Sequence, residues 1–274
     1  MAAVIGSRNK ALFALLIVLL GLAPAQAAGP SATNPVAPIT QLQLQNEFNP
    51  SSYKADGYQN LFYFQPVIPW KIAGQAWITR ITLPVISTAN PDPIPGPLGP
   101  IDIGSVTGTS DLTTLNFAMA DIKSGFWKGN IGFGPAVVFP TSTDDRVGTG
   151  QWQAGPNFIY INTAIPKVEY GILAYQVWSI GSQGEDRVSQ IIGQPIFTYH
   201  LDDEWYLSTG DHVWSYDWEK DVWDIPISFG VGREFKIGHQ ENNVYLIPFY
   251  NVGDAEPAST RWGIKLSWSL LFPN

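Results

Sequence analysis

The chain has 274 residues, a formal net charge of −8, 14% charged residues, no Cys, and 11 Trp, 11 Tyr and 14 Phe. The negative balance argues against a nucleic-acid partner, and the lack of Cys means the fold owes nothing to disulfides. Low charge with many aromatics suits an outer surface solvated by lipid better than a soluble one, which is roughly a quarter charged or more. A secreted all-β sandwich is the other class these numbers admit.

Arg8 and Lys10 precede an apolar run at 11–23, and Ala25-Gln26-Ala27 follows, so residues 1–28 predict a cleaved secretory signal peptide. The run is shorter than the ~20 residues a spanning helix needs. Residues 29–38 form a polar, Pro-rich N-terminal lead, and 39–274 an outer-membrane β-barrel. Its predicted strands are 39–48, 58–67, 75–83, 111–120, 129–139, 151–161, 170–180, 189–200, 204–216, 223–231, 244–252 and 260–272. The fold class is therefore all-β, an antiparallel transmembrane barrel of about twelve strands with ten or fourteen as alternatives and both termini periplasmic. Pro69-Trp70-Lys71 ends the second strand, and the Pro/Gly-rich stretch 84–110 is a loop, the longest of those facing outward.

Facing follows from period two. On the last strand Arg261, Gly263, Lys265, Ser267 and Ser269 alternate with Trp262, Ile264, Leu266, Trp268 and Leu270. Lys265 turns inward with the first set. Arg80 is placed inward by cost, since Arg on the lipid face at the bilayer midplane costs ~2–4 kcal/mol. Gln153, Asn157, Gln176, Gln194 and Ser228 are further lumen candidates, with Asp224 inward on the tenth strand. Asp211 and His212 are neighbours on the ninth strand, so only one can face the lumen; Asp211 is chosen if Leu207 and Val213 share its face. Arg80, Asp211, Asp224 and Lys265 either neutralise one another in a filled interior or set up a transverse field that orients a polar solute.

The outer-loop motif Thr141, Thr143, Asp144, Asp145, Arg146, Gly148 and Gly150 has a structural reading. The carboxylates cap a turn, Arg146 pairs with one of them, and the glycines supply positive φ. Its functional alternative is a mouth constriction or weak divalent-cation site. No Cys/His metal spacing, phosphate loop or esterase elbow is present, so no metal, cofactor or catalytic residue is assigned.

Residues 133–156, Val177-Trp178-Ser179, Ser215-Tyr216-Asp217-Trp218, Ile225-Pro226 and the closing Leu270-Leu271-Phe272-Pro273-Asn274 resemble the bacterial outer-membrane family related to the phenol-degradation meta-pathway proteins. The resemblance covers about 110–274; the family usually has Lys where Gln151 stands and a basic residue where Asn274 stands. It implies an outer-membrane barrel with a role in small-molecule passage. The expected function is a non-enzymatic channel for small solutes, including small organic compounds, against a non-conducting structural or adhesion barrel with a packed interior. The expected partners are outer-membrane lipid and lipopolysaccharide, a small-molecule solute and the barrel-assembly machinery.

Overall fold

The structure, a computed structural model, describes residues 33–52, 58–88, 94–96, 99–101, 105–181, 187–253 and 260–273. The expected signal segment and residues 29–32 of the lead lie outside these. Twelve antiparallel staves form the barrel. They are β1 (Thr40–Ser52), β2 (Gln59–Ile72), β3 (Gln75–Thr88), β4 (Val106–Thr109 with Leu112–Ile122), β5 (Gly129–Phe139) and β6 (Gln153–Asn162). The remainder are β7 (Val168–Ser179), β8 (Ser189–His200), β9 (Trp205–Ser208 with Trp214–Asp217), β10 (Val222–Asp224, Pro226–Ser228 and Gly230–Ile237), β11 (Gln240–Asn251) and β12 (Thr260–Phe272). Each pairs with the next, and β12 pairs with β1 from Thr40↔Phe272 to Ser52↔Thr260, so the sheet closes with the start of β1 and the end of β12 at one rim, the terminal rim. A two-stranded hairpin, Ile94–Gly96 with Gly99–Ile101, belongs to the opposite rim's connections.

Two proline-based expectations are corrected. β2 runs through Pro69 to Ile72, because its pairing with β1 stops at Val67 and Pro69 needs no donor on that side. β3 continues through Pro84 to Thr88. Pro84 falls in the gap between the two segments of β4, where only its carbonyl is used, by Ser110 N–H at 2.8 Å. The predicted loop 84–110 therefore contributes strand at both ends. At the terminal rim, β2 and β3 join through Ala73 and Gly74, both at positive φ (50° and 84°), the conformation of a tight two-residue hairpin.

The outward faces are apolar and aromatic at both rims. Trp70 stacks on Trp77 at 5.4 Å, and Trp127 lies against Phe126 and Tyr160 at the terminal rim. Phe139–Trp152 and Tyr216 with Trp218 and Trp223 occupy the loop rim. Such paired girdles mark a barrel whose waist contacts hydrocarbon.

The inward faces divide into two walls. From β3 to β8 they are largely apolar: Ile78, Leu115, Phe117, Ala136, Val138, Ile159, Ile161, Leu173, Val177, Ile192 and Ile196 are all buried in one cluster. On β1 the inward residues are Gln41, Gln43, Gln45, Glu47 and Asn49, facing polar partners on β2, β9, β11 and β12. The interior is a packed apolar half against a hydrogen-bonded polar half.

Candidate functional site: the barrel interior

The polar wall is organised by one amine. Glu47 of β1 and Lys265 of β12 are register partners, and Lys265 Nζ lies 3.2 Å from Glu47 Oε2 and donates to Asp211 Oδ1 at 3.1 Å. The ammonium also stands over the Tyr63 ring, 5.3 Å from its centroid. Both carboxylates have further donors: Asn49 Nδ2 reaches Glu47 Oε1 at 3.1 Å, and Gln45 Nε2 reaches Asp211 Oδ2 at 2.5 Å. A charge taken out of bulk water persists only when paired and hydrogen-bonded in this way.

Asp211 reaches this position through a bulge. Ser208 faces Thr198 of β8 and Trp214 faces Gly193, so β9 places five residues (209–213) opposite four (194–197). The same extra residue appears against β10, where Ser208↔Gly230 gives way to Ser215↔Asp224, while β10 and β11 keep one register. The irregularity therefore belongs to β9 alone. Gly210 supplies the backbone at φ 69°, and Ser228 Oγ fastens the bulge by donating to Thr209 O at 2.6 Å. An extra residue cancels strict alternation. His212 consequently points inward as well, its ring 4.3 Å from Phe249 and its Nε2 3.8 Å from Glu47 Oε2. The expectation that only one of Asp211 and His212 enters the lumen is corrected, and so is its premise, since Val213 is exposed and Leu207 does not share the buried face of Tyr206 and Ser208.

Above this network lies a chamber of about 450 Å³ that opens toward the loop rim. Its polar lining includes Glu47, Arg80, Gln194, Asp224 and Lys265, and its apolar lining Leu61, Leu115, Leu173 and Phe249. A second space of only about 50 Å³ lies below. Arg80, Gln194 and Asp211 border both, and so form the partition. Arg80 is 9% exposed and spends one donor, Nη1, on Gln194 Oε1 at 3.0 Å.

The lead closes the lower space. Thr33 Oγ1 donates to Glu169 Oε2 at 3.0 Å, and Asn34 Nδ2 donates to Asn130 Oδ1 at 3.0 Å. Asn34 Oδ1 accepts from Val36 N, turning the chain so that Val36 and Ala37 are buried, Val36 within the apolar cluster. The lead is thus folded into the terminal mouth, held by β5 and β7, the two staves that flank β6.

The other lumen candidates separate. Gln153 and Asn157 are buried, with Nε2 and Nδ2 donated to Thr149 Oγ1 and Pro135 O, and neither lines the two spaces. Ser228 is committed to the bulge. Gln176 lies on the outer face between Ile172 and Trp178, where its Oε1 accepts from Trp218 Nε1 at 3.1 Å. Its lumen placement is corrected: the inward phase of β7 belongs to Leu173, Tyr175 and Val177. Glu47, Tyr63 and His212 were missed. The Gln41–Gln43–Gln45 alternation, continued two steps to Glu47 and Asn49, carried the signal for the first.

At the loop rim, Asp144 accepts from Arg146 N at 3.0 Å and pairs with its guanidinium at 2.8 Å, which holds the Asp144 carboxyl well below the usual range. Gly150 has φ 61°, but Gly148 does not need positive φ; a Cβ there would lie 2.5 Å from Ser142 Cβ. The anchor of the 140–152 loop is Asp111. It accepts from Ser142 N, Thr149 N, Thr149 Oγ1 and Gly150 N at 2.7–3.1 Å. Burial alone raises its pKa, yet these donors outweigh burial and hold it below the ordinary carboxylate value. Thr141 Oγ1 accepts from Leu112 N and Thr143 Oγ1 from Thr109 N, so both threonines fasten the loop to β4. Asp145 is exposed, and no group of three or more metal-ligating side chains occurs among the described residues.

No protein-family model matches the chain, and no curated protein matches it. Among solved structures it is similar to an outer membrane channel from Pseudomonas putida F1, with a TM-score of 0.59 and 13% identity over 85% of this chain and 94% of that one. At that identity the likeness bears on the fold alone.

Proposed function

We propose that this protein is an outer-membrane channel for small solutes, small organic compounds among them, with its terminal rim in the periplasm. The observation that carries this reading is the 450 Å³ chamber inside a closed, girdled barrel, bounded below by a partition of three side chains and a short segment of lead. A chamber of this size is in the range of small-ligand sites. Two unlike walls suit a solute with both a polar group and an apolar body. The likeness to an outer membrane channel and the resemblance to the phenol-degradation-related family point the same way. The outer surface would contact membrane lipid, the loop rim lipopolysaccharide, and insertion would depend on the barrel-assembly machinery. Ser208 Oγ is engaged by Thr198 at 3.2 Å while His212 faces Phe249 and Glu47, an arrangement without a nucleophile–base pair.

The rival, a non-conducting barrel, draws on the small lower space and the seated lead. Planar-bilayer recording of the mature chain beside a variant lacking residues 29–37 separates them. The channel reading expects small conductance in the parent and a several-fold increase without the lead. Closed membranes for both proteins, each shown to be inserted and β-structured, would favour the rival.

A further inference from the structure

We propose that the floor of the outer chamber is a binding site for a small organic monocarboxylate, with Arg80 holding the carboxylate and Leu115, Leu173 and the rings of Tyr63 and Tyr175 enclosing the apolar body. The inference deepens the channel reading by naming a solute class, but it concerns binding and stands or falls separately from conductance.

The two interior cations differ in their partners. Lys265 is matched by Glu47 and Asp211. Arg80, equally withdrawn from solvent, has no carboxylate within ion-pair distance among the described residues and one hydrogen-bond acceptor, Gln194 Oε1. A guanidinium carries five N–H donors in a planar fork that fits a carboxylate in bidentate fashion. Most of that fork is unused, at a position bordering the chamber. Gln194 accepts through its oxygen and donates to no described residue, leaving its amide N–H₂ as a second donor beside Arg80. Asp211 acts on the guanidinium only through space and is itself bound directly by Lys265, so a bound carboxylate would supply the direct contact that the fork lacks.

The surroundings narrow the anion. Leu115, Leu173, Tyr63 and Tyr175 line the same chamber, so an inorganic anion would leave apolar surface uncovered. Glu47, Asp211 and Asp224 line it too, and of these only Glu47 and Asp211 have a cationic partner. Asp224 accepts from Asn251 alone among the described residues. The fixed negative charge disfavours dianions and polyanions. The lower space, at about 50 Å³, is large enough for water but too small for an organic solute, so the ligand's charged end stops at Arg80.

Calorimetric titration of the detergent-solubilised mature chain with acetate, butyrate, hexanoate, 1-hexanol and hexylamine tests the site. Each methylene buried should tighten binding about fourfold, so hexanoate should exceed butyrate by roughly tenfold or more. Hexanol and hexylamine should bind at least tenfold more weakly than hexanoate. Arg80→Gln should weaken hexanoate at least tenfold and leave hexanol unchanged, with Arg80→Lys between. Leu173→Asn should erase most of the preference for hexanoate over butyrate while keeping carboxylate over alcohol. Should Arg80→Gln fail to fold, the parent panel and Leu173→Asn decide. Equal hexanoate affinity in parent and folded Arg80→Gln, hexanol as tight as hexanoate, or no binding of hexanoate overturns the proposal. Hexanoate binding in a protein that never conducts would refute the channel and leave the site standing.

Discussion

Lys265 and Arg80 show how two cations of similar burial differ in consequence. Lys265→Gln leaves Glu47 and Asp211 without the cation that contacts both, and removing one partner of a buried pair typically costs about 3–5 kcal/mol. A large fall in the urea midpoint is expected in detergent, and any surviving channel should become more cation-selective by reversal potential. Arg80→Gln removes a charge with no carboxylate in ion-pair contact among the described residues, so its stability loss should be smaller than that of Lys265→Gln. Asp111 adds a pH dependence. Its folded pKa is depressed, so its contribution is complete above the ordinary value near 3.9 and is lost as pH falls through the folded value. Amide protection at Ser142, Thr149 and Gly150 should therefore persist at the ordinary carboxylate pKa and be lost only at lower pH in the parent, and Asp111→Asn should lack it already at neutral pH. Lys265 and Arg80 were legible in sequence from alternation and from the cost of charge in lipid. Asp111 was not, because its partners lie some 31–39 residues away and only the closed loop brings them together.

At the scale of elements, β9 is where sequence reading and structure part. Nine of the twelve predicted strands needed only their ends adjusted or none, because alternation and turn residues agree along them. β9 was read as one strand across 204–216, yet a single extra residue divides it; β4 and β10 are likewise segmented. Gly210 is the visible trace of the bulge, and a lone glycine in an alternating run signals either a bulge or nothing. Its replacement gives a direct comparison. Gly210→Ala must place a Cβ at φ 69° and 2.4 Å from Ile247 Cδ1, whereas Gly74→Ala carries the same class of backbone strain with open space around it. Gly74→Ala should cost about 1 kcal/mol, and Gly210→Ala about 1 kcal/mol more, read as the difference between their heat-modifiability midpoints. Equal midpoints would mean that the bulge yields without resistance. The misplacement of Gln176 has a simpler cause: polar residues are expected inward, and a lone glutamine near the loop rim finds a tryptophan N–H outside instead.

For the whole molecule, the closed all-β barrel was legible because a period-two pattern with aromatic ends repeats along the chain, whereas the division of the interior was not. Apolar residues facing inward look, in sequence, like strands without a clear phase. The two walls also have separate origins along the chain. The apolar wall comes mainly from one continuous stretch, β3 to β8, whose neighbours in space are neighbours in sequence. The polar wall is assembled from the beginning and the end, and its central pair, Glu47 with Lys265, sits on the β1–β12 seam. Contacts between distant residues form late, since the intervening chain must first be ordered. The middle of the protein can thus condense as a curled half-shell on local pairings, with its greasy concave side already joined. Glu47 can join Lys265 only when the last edge finds the first, so that contact is a timestamp of closure, absent from every intermediate that is still an open sheet.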